Sequence, residues 1–253
     1  MNRTTSLVFA SAWLLSAACA DSSKPQLSAA EYDEVAQSLG GALAASGGGG
    51  DLGAVSDSVS IARGRIPFGF RVSGSGQISG QHGALDYSFE VSCSDAAGQD
   101  QAACDDTTDR AALTVAWDGQ LELPRFTIQS ERNGSWTLSG LQGDTAVLDG
   151  SSDFHLAVET QPLFGPAKRS YDLAYTADYD GIAYDIAAER ITAGSAHLAV
   201  AAERTESGNG QDSQLAFDVD AVVTFDGGVT ATLVIDGTQR FEIDLQTGRV
   251  TRP

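Results

Sequence analysis

The sequence predicts an all-β protein, an antiparallel meander of about 12 strands preceded by a short helical segment. Three observations support this fold class. Apolar and polar residues alternate through most of the chain after residue 64, Asp-Gly and Asn-Gly pairs punctuate the alternating runs, and helical periodicity is confined to residues 28–63. Alternation indicates one buried face and one solvent-exposed face, called here the dry and the wet side, which is typical of antiparallel sheet. Either a large sandwich or one curled, barrel-like sheet would satisfy it.

The first 20 residues have the organisation of a bacterial export signal. Arg3 supplies a positive start, residues 7–15 are apolar, and small residues surround Cys19. An apolar stretch this short does not span a bilayer, but it suits the core of a signal peptide with a cleavage site behind it. We therefore expect residues 1–20 to direct export.

Two cleavage sites remain open. Ala17-Ala18-Cys19 resembles the end of a lipoprotein lipobox, with Ser16 where Leu is usual. This resemblance implies a lipidated Cys19, a tether over residues 21–27 and, because Ala20 follows the cysteine, an outer-membrane lipoprotein. The alternative is type-I cleavage before Asp21, which gives a soluble periplasmic or secreted protein. The whole chain resembles uncharacterised bacterial lipoproteins, a resemblance that implies no activity.

Residues 28–63 form the predicted helical segment. Ser28 and Glu31 have the spacing of a capping box at the start of a helix over residues 28–45. A buried helical stripe is expected at Tyr32, Val35, Leu39 and Leu43, followed by a break at the glycines 47–50. A weaker stripe at Leu52, Val55, Val59 and Ala62 predicts a second, short helix before Gly64.

Residues 64–253 are predicted to form a single all-β domain. Six Asp-Gly or Asn-Gly pairs sit beside alternating runs and predict tight hairpin turns. They are Asp118-Gly119, Asn133-Gly134, Asp149-Gly150, Asp180-Gly181, Asp226-Gly227 and Asp236-Gly237. The phase of the alternation also predicts which large side chains face the dry side. These are Tyr87, Phe89, Trp117, Trp136, Phe154, Leu173, Tyr175, Phe217, Val219, Phe225, Leu233 and Phe241.

Two of the three cysteines are expected to form a disulfide with each other. Cys93 continues the apolar phase of its strand, and Cys104 follows 11 residues later. In an oxidising compartment these two are expected to form a structural disulfide, while Cys19 is lipidated or removed.

The composition and the motifs exclude several function classes. With 15 Lys and Arg against 34 Asp and Glu, the formal net charge of −19 argues against nucleic-acid binding and against adsorption to anionic membranes. No zincin helix, nucleophile elbow or nucleotide-binding glycine loop is present in the sequence. The remaining candidates are His82, His155 and His197, the calcium-loop-like Asp178-Tyr179-Asp180-Gly181, and Asp105, Asp106 and Asp109. We interpret all of these as surface groups, and expect no catalytic residue, cofactor or metal.

Three functions fit this sequence. The first is a non-enzymatic cell-envelope protein with a structural or interaction role, held at the membrane by its lipid alone and contacting other envelope proteins. The second is a carrier of an apolar ligand in a β-cup or barrel, similar in outline to lipoprotein-carrier half-barrels, with the helix over residues 28–45 covering the mouth of the cup or barrel. The third is a secreted hydrolase with an unrecognised carboxylate site.

Overall fold

The structure, a computed structural model, describes residues 27–44, 50–73, 76–82, 84–162, 167–208 and 212–253. Two helices precede the strands: α1 is Ala29–Leu43 and α2 is Asp51–Ala62. The strands are β1 Phe70–Val72, β2 Ile78–His82, β3 Leu85–Ser94, β4 Asp100–Gln101, β5 Arg110–Leu123, β6 Phe126–Ser139, β7 Thr145–Thr160, β8 Lys168–Asp185, β9 Arg190–Ser207, β10 Ser213–Phe225, β11 Thr230–Ile235, β12 Gln239–Asp244 and β13 Val250–Thr251.

All 13 strands belong to one antiparallel sheet, in the order β1-β2-β3-β5-β6-β7-β8-β9-β10-β11-β12-β13, with β4 paired to β3. Each strand on this path pairs with its neighbours in the chain, so the predicted meander is confirmed. The sheet does not close, because β1 and β13 lie at its opposite edges. It is therefore a single open sheet rather than two stacked ones.

The N-terminal helix forms where the capping box predicts. The Ser28 amide donates to Glu31 Oε2 at 2.6 Å, and the Glu31 amide donates to Ser28 Oγ at 3.4 Å. The predicted stripe is buried at Val35, Leu39 and Leu43. Neither helix in the described part of the chain has the length and hydrophobicity needed to cross a bilayer.

The apolar face of the sheet is covered by the two helices. All 12 side chains predicted for the dry side are buried. Helix α1 packs on β11, β12 and β13, and α2 packs on α1 and β5. Polar contacts fix α1 in place: the Tyr32 hydroxyl donates to Asp236 Oδ2 at 2.9 Å, and Arg252 Nε donates to Asp33 Oδ1 at 2.7 Å. The core thus lies between the helical layer and one side of the sheet.

Four of the six predicted hairpin turns are wrong. Asp118-Gly119 and Asn133-Gly134 lie inside paired strands, and Asp149-Gly150 and Asp180-Gly181 lie at irregularities within β7 and β8. Close approach explains two of these glycines, because a Cβ at Gly119 would lie 2.3 Å from Ala84 O and one at Gly150 would lie 2.3 Å from Ser135 O. Only the last two pairs turn the chain, with Gly227 at φ 83° and Gly237 at φ 66°. The strands are consequently longer than predicted, up to 18 residues in β8 and β9.

Candidate ligand-binding groove

A groove of about 820 Å³ opens between α2 and one end of the sheet. Its walls come from one side of α2, from the segment entering β1, and from the turns that follow β8, β10 and β12. We call it the α2 groove. Its lining residues are Leu52, Gly53, Ser56 and Asp57, then Pro67, Phe68, Phe70, Tyr87 and Tyr184, and finally Glu189, Arg190, Ile191, Gly228, Val229, Asp244, Leu245 and Gln246.

Two large apolar side chains stand in solvent at this groove. Phe68 is 103% exposed and Val229 is 75% exposed, the two highest values among the exposed large hydrophobic residues of the described chain. Folding stability gains nothing from such exposure, and exposed apolar groups beside a concave surface are typical of a binding site. Val229 lies in the turn before β11.

Aromatic rings connect the groove to the core. The Phe70 and Tyr87 ring centroids lie 5.9 Å apart, and Tyr87 stacks on Trp117 at 5.5 Å. Tyr87 is 5% exposed, and its buried hydroxyl has no hydrogen-bond partner in the described structure. On the opposite side, the Tyr184 hydroxyl and Ser56 Oγ share a hydrogen bond of 2.9 Å. Aromatic rings therefore line the groove and continue into the core.

Three carboxylates and one guanidinium line the groove: Asp57, Glu189, Asp244 and Arg190. Arg190 Nη1 donates to Gly227 O at 3.1 Å. Hydrogen bonds from the Thr247 backbone and side chain lower the pKa of Asp244, so this carboxylate stays ionised at neutral pH.

The tyrosine hydroxyls of the groove remain neutral. Burial, with a smaller contribution from the carboxylate of Asp57, raises the pKa of Tyr87. Burial also raises the pKa of Tyr184, where the carboxylates of Glu189 and Asp57 act in the same direction. A phenol beside these carboxylates keeps its proton and can donate a hydrogen bond.

A buried ion pair holds the N-terminal end of α2 against the sheet. Asp51, the first residue of α2, and Arg132 of β6 are each 1% exposed and form a salt bridge. The Tyr179 hydroxyl donates to Asp51 Oδ2 at 2.6 Å, and Arg132 Nη2 donates to the Tyr175 hydroxyl. The carboxylate also lies at the positive end of the helix dipole. These contacts fix the helix that forms one wall of the groove.

Aromatic faces surround the same guanidinium. Arg132 Cζ lies 4.6 Å from the Phe154 ring centroid and 4.9 Å from that of Trp117. Ser152 Oγ and the Tyr179 hydroxyl lie 3.0 Å apart, and burial raises the pKa of Tyr179 to about 12. The charge is thus enclosed by cation–π contacts and neutral hydroxyls, which offset the cost of removing it from water.

The C-terminal end of α2 rests on the cysteine pair. Cys93 and Cys104 lie at disulfide distance, with sulfurs 1.99 Å apart, as predicted. Gly64 follows α2 at φ 73°, and a Cβ there would lie 2.7 Å from Cys104 O. Only glycine fits this contact without displacement of the backbone. The C-terminal end of α2 therefore lies directly against the loop that carries Cys104.

The other predicted site residues lie apart from the groove. Cys19 is outside the described residues. His155 Nε2 and Asp172 Oδ2 lie 2.9 Å apart on the polar face, while His197 is on β9, two strands away from His155. His82 is in β2. In the described ranges, no group of three or more His, Cys, Asp or Glu side chains is arranged to hold a metal.

The two acidic candidates have structural roles. Asp105 Oδ1 accepts hydrogen bonds from the Thr107 amide at 2.8 Å and from its hydroxyl at 2.6 Å, which lower the pKa of Asp105. Asp106 and Asp109 lie in the same loop beside Cys104. The segment from Asp178 to Gly181 runs through β8 rather than forming a loop.

Sequence reasoning missed the buried ion pair, although a signal existed. Arg132 has the same period-two phase as Trp136 and Leu138, and Asp51 lies four residues before Val55 on the buried stripe of α2. A charge at an apolar phase on each element indicates a buried pair. Because a turn is predicted at Asn133-Gly134, the sequence does not assign Arg132 to the buried phase of a continuous strand.

No family model, curated protein or solved structure matches this chain. Its function is therefore inferred from the groove and from the N-terminal sequence.

Proposed function

We propose that this chain is an exported, non-enzymatic cell-envelope protein, anchored to the outer membrane through Cys19, that binds a small apolar ligand in the α2 groove. The observation that carries ligand binding is the groove of about 820 Å³ with Phe68 and Val229 exposed at its walls. Sites for small apolar molecules have volumes of about 300–1,000 Å³ and combine apolar walls with a few polar groups.

The way α2 is held also supports binding. Helix α2 is fixed at one end by Asp51 and Arg132, and at the other end Gly64 lies closely against Cys104. A wall held by a buried ion pair keeps the groove formed before the ligand arrives. A preformed site loses less conformational entropy on binding than one that must be ordered.

Export is supported by the sequence and by the cysteine pair. Cys93 and Cys104 lie at disulfide distance, which suits an oxidising compartment outside the cytoplasm. Leu27, the first described residue, is buried, and it is eight residues from Cys19. An extended chain of that length spans at most about 29 Å, so a lipidated Cys19 would keep the domain close to the membrane.

Titration with the neutral fluorescent probe N-phenyl-1-naphthylamine tests ligand binding. The protein is the processed chain from Ala20 without its lipid, which needs no detergent. We expect saturable binding of one probe per chain. Phe68→Ser should weaken binding by about tenfold or more, because a phenyl ring that becomes buried by a ligand contributes roughly 1.5–3 kcal/mol. Since Phe68 is fully exposed in the free protein, the substitution should leave folding stability unchanged.

Leu123→Ser is the matched control. Leu123 is 53% exposed at the end of β5 and does not line the groove, so this variant should bind like the original chain. Equal weakening by both variants would show that the probe binds to exposed apolar surface in general. Absence of saturable binding would reject ligand binding and favour the interaction role.

A separate experiment tests the anchor. Cys19→Ser should release the protein from membranes and abolish its labelling by a fatty-acid analogue. If the original chain and the variant fractionate alike and the mature N-terminus is Asp21, type-I cleavage is supported instead.

A further inference from the structure

The two ends of the sheet carry different parts of the molecule. Because neighbouring strands are antiparallel, β5, β7, β9 and β11 finish at one end, and β8, β10 and β12 finish at the other, where their turns line the α2 groove. Helix α1 begins at the first end, since Tyr32 donates to Asp236 in the turn after β11. It finishes at the groove end, where a Cβ on Gly248, in the turn after β12, would lie 3.0 Å from Ala44 Cβ. We call the first end the α1 end.

An apolar strip on the dry side reaches the surface at the α1 end. Across β5 and β6, Leu121 pairs with Ile128 and Leu123 pairs with Phe126. Val158 of β7 continues the strip beside Ile128. Leu121 is 42% exposed and Leu123 is 53% exposed, while the other three side chains are half-buried. We call these five residues the leucine strip.

The exposed part of the leucine strip lies beyond the helices. Helix α2 begins at Asp51, which forms its salt bridge with Arg132, the cross-strand partner of Trp117. From there α2 runs towards Cys104, beside the start of β5. Residues 118–123 of β5 extend about 20 Å in the opposite direction. Helix α1 packs on β11, β12 and β13 instead. Exposed apolar side chains that stand together are typical of a protein or membrane contact.

The charges beside the leucine strip favour a lipid surface. Residues 120–129 and 157–170, which include the tips of the β5–β6 and β7–β8 hairpins, have three basic residues against two acidic ones, in a chain whose formal net charge is −19. Arg125 joins the two tips, because its Nη1 donates to Pro162 O at 3.0 Å. Lys168 is exposed at the start of β8. Basic side chains next to apolar ones suit the boundary between head groups and acyl chains, since their charged ends reach the phosphates.

The chain also enters the domain at the α1 end. Leu27 is buried immediately before α1, and Cys19 lies eight residues earlier. An extended chain of that length spans at most about 29 Å. Helix α1 has 15 residues and is therefore about 22 Å long, which separates its start from the groove end. A lipid at Cys19 consequently brings the α1 end, rather than the groove end, to the bilayer.

We propose that the α1 end docks on a lipid bilayer, with Leu121 and Leu123 among the acyl chains and with Arg125 and Lys168 at the phosphates. The α2 groove then opens away from the membrane. This inference goes beyond the proposed ligand binding, because it concerns a separate surface and sets the orientation of the domain. It rests on the proposed anchor for the tether alone.

Tethering the chain chemically tests the orientation. The chain starting at Cys19, without lipid, is coupled through that thiol to a maleimide lipid in phosphatidylcholine vesicles; Cys19 is the one cysteine outside the bond between Cys93 and Cys104. Leu123→Trp adds a reporter to the leucine strip, whereas the native Trp117 and Trp136 are each 1% exposed and give a constant background. Phosphatidylcholine with brominated acyl chains should reduce the fluorescence of the added indole about twofold or more, because indole rings are favoured at the bilayer interface.

Val229→Trp is the matched control. Val229 is 75% exposed at the groove end, so an indole there should keep its fluorescence with brominated lipid and lose it to iodide in the water. Stronger lipid quenching at position 229 than at position 123 would mean that the groove end faces the bilayer, which overturns the inference. Equal quenching at the two positions, or quenching at neither, would also overturn it.

Sedimentation of the processed chain tests the other occupant of the strip, a second copy of this protein. We expect a monomer. A dimer that Leu121→Ser/Leu123→Ser abolishes would assign the strip to self-association and reject the bilayer. Because the maleimide supplies the tether, these results do not depend on whether the cell lipidates Cys19. Probe binding in the α2 groove is measured separately, so either proposal can fail while the other stands.

Discussion

Replacing Arg132 with methionine tests whether the buried ion pair holds α2 on the sheet. The substitution keeps an apolar side chain between Phe154 and Trp117 but leaves the Asp51 carboxylate, which is 1% exposed, with hydroxyl donors alone. Removing one partner of a buried pair costs about 3–5 kcal/mol, because the remaining charge stays buried. That loss is a large part of the roughly 5–15 kcal/mol that stabilises a typical domain.

The double variant Arg132→Met/Asp51→Leu removes both charges. Tyr179 keeps its contact with Ser152 at 3.0 Å, while the Tyr175 hydroxyl loses its partners. One unpaired buried hydroxyl costs about 1–3 kcal/mol, so the double variant should be about as stable as Arg132→Met or more stable. The stability losses of the two single variants should therefore add up to more than the loss of the double variant.

Urea unfolding of the processed chain, followed by tryptophan fluorescence, measures these differences. Trp117 lies against Arg132 and reports on the same region. A loss below about 1 kcal/mol for Arg132→Met, or single losses that add within about 0.5 kcal/mol, would refute the coupling between these charges. Probe binding to Arg132→Met gives a second readout, because a displaced α2 removes one wall of the groove.

Three further predictions concern stability. Phe217→Ala should lower the free energy of unfolding in urea by about 3–5 kcal/mol, because Phe217 is 5% exposed. Asp218→Ala, on the solvent-exposed face of the same strand, should change it by less than about 0.5 kcal/mol. Equal effects of the two substitutions would contradict the predicted strand phase. Since the pKa of Tyr179 is raised to about 12 by burial, the unfolded chain loses this proton first above pH 10, and Tyr179 alone should lower stability by about 1.4 kcal/mol per pH unit between pH 10 and 12. The stability of the original chain should therefore fall more steeply with pH than that of Tyr179→Phe, and equal slopes would be inconsistent with this shift. Reduction of the bond between Cys93 and Cys104 should lower stability by about 3 kcal/mol, and unchanged stability after verified reduction would refute that role.

The dry face was predictable because burial and period-two alternation depend on the same residues. Phe217 and Val219 are buried, and Asp218 between them is exposed. Helix α1 was predictable because Ser28 and Glu31 form a local cap that requires no distant partner. These features are encoded within one strand or one helical turn.

The turns were less predictable because Asp-Gly and Asn-Gly pairs have more than one use. Gly119 and Gly150 allow a neighbouring strand to approach closely, and Gly237 turns the chain. A local pattern does not distinguish these environments. The α2 groove was not predictable for a related reason, since Asp57, Tyr184 and Asp244 are far apart in the chain and meet only at the end of the folded sheet.

The position of α1 sets the order in which the chain can become compact. The strands pair with their neighbours in the chain, so hairpins can add one after another as the polypeptide lengthens. Helix α1, however, packs on the last three strands, and Arg252 contacts Asp33 across 219 residues. Helix α1 therefore gains its full set of contacts only after these later strands are present. Until β12 and β13 exist, the apolar stripe of α1 at Val35, Leu39 and Leu43 lacks the part of its cover that these strands provide, and a chain truncated before residue 239 would lose that part permanently.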